Sequence, residues 1–161
     1  MRRLITSAVL VCLGMLAVAG CDGNEPLSLD EFDPDSGVVE TVPSCPLSAA
    51  QVSEIVGLTV VDRENCAFAD PDGVAQVTIT ASTKAAGVST YEFERKRADA
   101  AYDMVKDLDA GEMAFLAVGE AEAEVYVVTA AASYTVLMMS FDLSSSAYEH
   151  KLLQFLAAVT K

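Results

Sequence analysis

The chain has 161 residues, of which 24 are Asp or Glu and 10 are Lys or Arg, a formal net charge of −14. A surface of that sign repels phosphate backbones, and no stripe of Lys or Arg interrupts it, so nucleic acid is excluded as a partner class. A single histidine and no Gly-x-Ser-x-Gly elbow or Gly-rich phosphate loop leave little for catalysis, and neither an enzymatic activity nor a cofactor is expected.

Residues 1–20 read as an export signal. Arg2 and Arg3 form a positive start, and Leu4 to Val18 is a nearly unbroken apolar run ending in small residues. The run is shorter than the roughly 20 apolar residues a membrane span needs. Val18-Ala19-Gly20-Cys21 resembles the lipobox of bacterial lipoproteins. That resemblance implies cleavage before Cys21 and a diacylglycerol on its thiol, so the expected location is the outer face of a cell membrane, with lipid as the link. Removal of Arg2 and Arg3 with the leader takes the formal charge from −14 to −16.

Cys12 leaves with the leader, which places Cys45 and Cys66 as an even pair in an oxidising compartment, where a disulfide is the expected state. Closing a loop of about 20 residues would contribute roughly 3 kcal/mol by restricting the unfolded chain. A metal site or a redox-active thiol is the alternative, but CxxC spacing and companion histidines are missing.

Residues 21–44 read as a lipidated, acidic, flexible tether. Between residues 22 and 44 stand seven acids, three prolines, two glycines and no base. A coil of that length has a root-mean-square span of roughly 26 Å. Asp30, Asp33 and Asp35 do not fall into the register of an EF-hand loop.

From residue 45 to 161 the pattern predicts a single α+β domain, an antiparallel sheet with helices packed on it. Ser48 to Gln51 is a capping box, with Leu47 placed to staple onto Val52 and Gly57 as a stop, which predicts a helix over 48–56. Strands are expected over 58–61, 66–69 and 74–81, the last two joined by the Asp70-Pro-Asp-Gly73 turn and the third with one wet face. Ser89 to Glu92 reads as a second capping box. It opens a helix over 89–108 whose Tyr91, Ala98, Ala101, Tyr102, Val105 and Leu108 form one stripe. Strands follow over 113–117, 124–131 and 134–141, the last two apolar on both faces as covered central strands are. Ser146 to Glu149 predicts a third capping box and a helix over 146–159. The order hairpin, Ser-x-Tyr-Glu, helix occurs twice and suggests two related halves.

Three groups of side chains invite chemistry. His150, the only histidine, falls in the exposed first turn of the last helix, where an ordinary surface role outweighs general-base work. Glu120, Glu122 and Glu124 stand at period two and could present carboxylates to a divalent cation, though charges guarding a strand end look the same and no metal is expected. Met104, Met113, Met138 and Met139 suit either core filling or an adaptable apolar pocket.

Cys45-Pro-Leu47 through Gly57, then Cys66-Ala-Phe68, then Val118-Gly-Glu-Ala121 together resemble short actinobacterial lipoproteins that carry a domain of unknown function. The chain departs from that pattern with Phe68 where tryptophan is usual and with one leucine where two are common. The resemblance implies a disulfide-clamped α+β domain outside the membrane and no catalytic residue. The expected function is a non-catalytic binding module of the cell envelope with a protein or glycan partner, the alternative being a carrier of a lipid or other apolar molecule in a cavity of several hundred Å3.

Overall fold

Residues 40–161 are described by the computed structural model; the expected export segment, Cys21 and the expected tether up to residue 39 lie outside the described residues. Helix α1 (Ala49–Val56) forms where the capping box predicts it. The Ser48 N–H donates to Gln51 Oε1 at 2.9 Å, the Gln51 N–H donates back to Ser48 Oγ, and Gly57 closes the helix at φ 80°, a conformation that favours glycine. Leu47 and Val52 are buried in the same cluster.

The remaining elements are β1 (Val61–Asp62), β2 (Ala67–Ala69), β3 (Gln76–Thr83), α2 (Lys84–Ala101), β4 (Met104–Asp107), β5 (Met113–Val118), β6 (Glu122–Val128), β7 (Ala132–Met139) and α3 (Ser145–Val159). The seven strands make one antiparallel sheet in the order β1-β2-β3-β7-β6-β5-β4, a single α+β domain. The turn before β3 is held by Asp70, whose carbonyl accepts from Gly73 N–H and whose Oδ1 accepts from the N–H groups of Val74 and Ala75.

Strand alternation divides the core in two. On one face Leu116, Val125, Val127, Val136 and Met138 pack under α3, whose Tyr148, Leu152 and Phe155 are fully buried, and under Val52 and Val56 of α1. On the other face Phe115, Ala117, Tyr126 and Val128 pack under Ala98 and Tyr102 at the end of α2. Tyr91, Phe115 and Tyr126 form an aromatic cluster there, with Phe115 and Tyr126 stacked at 5.6 Å. The strand–strand–helix order does recur, as β2-β3-α2 and β6-β7-α3. Because α2 and α3 cover opposite faces, however, no two-fold axis normal to the sheet relates the two halves.

Two helix starts and one helix end differ from expectation. Helix α2 begins at an N-cap formed by Thr83, whose Oγ1 accepts from Ala86 N–H at 3.2 Å, and Ser89 lies inside it with its hydroxyl donating to the Ala86 carbonyl. Gly87 does not break the helix; a Cβ there would lie 2.3 Å from Ser133 Cβ, so the glycine allows helix and sheet to touch. The helix stops at Tyr102, and residues 104–107 become the edge strand β4. Strand β5 is apolar on both faces and needs a partner for its outer backbone edge, a demand that outweighs extension of the helical stripe to Val105 and Leu108. Helix α3 is capped by Ser144, not by Ser146.

Candidate functional site

Cys45 and Cys66 are joined in a disulfide with their Cα atoms 5.5 Å apart. The bond ties the segment ahead of α1 to the start of β2. Cys66 also ends a run of three residues in the left-handed region, Glu64 (φ 73°), Asn65 (φ 51°) and Cys66 (φ 61°), a costly conformation for side chains with a Cβ. Short hydrogen bonds hold this turn, with Ala67 N–H donating to the Glu64 carbonyl and Glu64 N–H to Asp62 Oδ1 at 2.8 Å.

Beside the disulfide lies a surface groove of about 540 Å3. One wall is the end of the expected tether, at Val42 and Pro43; the other is Ile79 to Ala81 of β3, and Asp62, Glu64 and Asn65 form the rim. The tether end is positioned by Glu40, whose carboxylate accepts from Ala85 N–H at 3.1 Å in the first turn of α2. Residues 40–45 therefore run alongside β3 in the opposite direction. Smaller grooves lie between α1 and α3, about 270 Å3, and at the Thr129–Ala131 turn, about 330 Å3.

The three glutamates do not share one environment. Glu120 is exposed in the turn between β5 and β6, and Glu122 is half-buried at the start of β6. Glu124 is buried on the α2 side, where both of its oxygens accept from Arg97 Nη2 at 2.8 Å. Among the described residues no three His, Cys, Asp or Glu side chains are grouped so as to hold a metal ion. Arg97 also donates through Nε to Glu94, and the two carboxylates hold its guanidinium above the ordinary arginine range. Tyr102 is buried beside this pair. Burial first, and then the charges of Glu124 and Glu122, push its hydroxyl above the usual tyrosine value. Arg95, over the Phe115 ring, pairs with Asp107 of β4 at 2.7 Å and with Asp99.

His150 is exposed on α3, next to Glu149, which pairs with Lys106 of β4. Met138 is fully buried under α3, while Met104, Met113 and Met139 are partly buried; none of the four lines the three grooves described above. Sequence reasoning placed the disulfide correctly but missed the groove, whose only local signal is the difference in length between β2 and β3. It also missed Arg97 as the partner of Glu124, since the register of α2 on the sheet decides that pairing. Comparison of the chain with protein-family models, with curated proteins and with solved structures finds no match.

Proposed function

We propose that the chain is an extracytoplasmic lipoprotein, held to the outer face of a cell membrane by lipid on Cys21, whose 45–161 domain is a non-catalytic binding module of the cell envelope. The leader and the lipobox-like Val18-Ala19-Gly20-Cys21 support the anchor, and the resemblance to short actinobacterial lipoproteins supports the same reading. The observation that carries the binding role is the groove where the tether meets the domain, walled by Val42 and Pro43 and fixed by the Cys45–Cys66 disulfide. A ligand held there sits on rigid sheet and close to the anchored end. Confinement of the module to a thin layer raises the effective concentration of neighbours, so a weak contact suffices.

Membrane fractionation of a Cys21→Ser variant tests the anchor. The parent should partition into detergent and sediment with membranes, and the variant should be released; equal sedimentation of the two would refute lipid attachment at Cys21.

A further inference from the structure

We infer that the groove beside the disulfide accepts an extended cationic peptide segment, which adds as a strand to the open edge of β3 at Ala81 and Thr83; this deepens the binding-module reading and rests on it. Strand β3 pairs with β7 along its whole length, from Gln76 to Thr83. On its other side β2 covers only Gln76 to Thr78, followed by one more bond from Ile79 N–H to the Cys66 carbonyl. Along a strand, the N–H and C=O of alternate residues point to the same side. Ala81 and Thr83 therefore aim their main-chain groups as Ile79 does, to the side where β2 has already ended. Outside the β3–β7 ladder, no hydrogen bond from the described residues reaches the Ala81 N–H or C=O or the Thr83 N–H. A row of unpaired main-chain groups at a sheet edge is matched by another extended main chain.

The surroundings specify the peptide further. Val42, Leu47 and Ile79 give the groove apolar sides, while its charged groups are the carboxylates of Asp62 and Glu64, with Glu40 at the α2 end. None of the described residues lining it is basic. Arg63, the neighbouring cation, turns its guanidinium to the carbonyls of Asp70 and Pro71. Alternating apolar and basic side chains fit this pattern, because successive residues of an added strand face opposite ways. A groove of about 540 Å3 lies within the size range of ordinary ligand sites. Pro43 has no N–H to offer β3, and among the described residues no main-chain hydrogen bond joins 40–44 to that strand.

The test is an NMR titration of the full chain in detergent micelles with a capped five-residue peptide alternating lysine and valine. Amide shifts should centre on Ala81 and Thr83, and the affinity should fall as salt is raised. A glutamate–valine peptide should cause no such shifts. Glu64→Lys, an exposed change, should weaken binding about fivefold. Ala81→Pro removes an outward donor without touching the β3–β7 ladder and should abolish the shifts. Should that variant fail to fold, Glu64→Lys and the glutamate–valine peptide decide. The proposal is overturned if the lysine–valine peptide leaves Ala81 and Thr83 unmoved, or if both peptides bind alike. It is also overturned if the Ala81 amide is already protected from exchange in the unliganded chain, by residues 22–39 when their deletion exposes it or by a second copy when dilution does. None of these outcomes bears on whether the module acts through a surface at all, which shortening the tether addresses separately.

Discussion

Glu124 is a carboxylate with 3 % of its surface exposed in the middle of a sheet, and the two 2.8 Å bonds from Arg97 make that charge tolerable. Removing one partner of a fully buried pair costs about 3–5 kcal/mol. Water can reach the Arg97 side, so Arg97→Ala is expected to lower stability by about 2 kcal/mol, read as an earlier urea midpoint, with a smaller loss for Glu124→Gln. Tyr102 adds a pH dependence. Its hydroxyl is raised in the fold above the ordinary value of 10.0, so the unfolded chain sheds a proton that the folded chain keeps once the pH passes that value. That stabilising contribution is complete below pH 10.0 and is lost as the pH climbs through the raised value. Urea midpoints at about pH 9 and about pH 11 should therefore drop for the parent and drop less for Tyr102→Phe. The row of Glu120, Glu122 and Glu124 was visible in the sequence, but Arg97 lies 27 residues from Glu124 and meets it only through tertiary packing.

Helix α2 shows why element boundaries were harder to read than element types. Ser89-Thr-Tyr-Glu92 resembles a helix start, yet the helix begins at Lys84 because Thr83 caps it directly off the end of β3. What decides the role of Gly87 is space. Alanine has the higher helix propensity, by about 1 kcal/mol, but an added Cβ would meet Ser133 Cβ at 2.3 Å and Oγ at 2.5 Å. Overpacking costs of about 1–3 kcal/mol should outweigh the gain, so Gly87→Ala should lower the melting temperature and Ser133→Gly on the same chain should restore part of it. The Ser48 box, the Asp70–Gly73 turn and the two-faced apolar pattern of β6 and β7 were legible because each signal is local or periodic. Strand β4 was not, since residues 104–107 become a strand only because β5 offers an unpaired edge.

At the scale of the molecule, antiparallel strands and capped helices were enough to predict an α+β domain, but not the opposite placement of α2 and α3, which depends on the path each helix takes out of its preceding strand. If the module works by presenting a surface from a membrane, deletion within residues 22–39 should impair it more than His150→Ala or Glu122→Ala, measured by activity in cells with folding and anchoring verified. Abolition of activity by either point substitution would instead reveal a discrete chemical site. The Cys45–Cys66 bond also has a mechanical meaning. On the proposed reading, a load applied between a lipid-anchored N-terminal side and a ligand on β3 would enter at Cys45 and cross the sulfur bridge to Cys66, bypassing residues 46–65. Helix α1 and strand β1 then sit in a slack covalent loop, so such a pull would not run through them while the disulfide is intact.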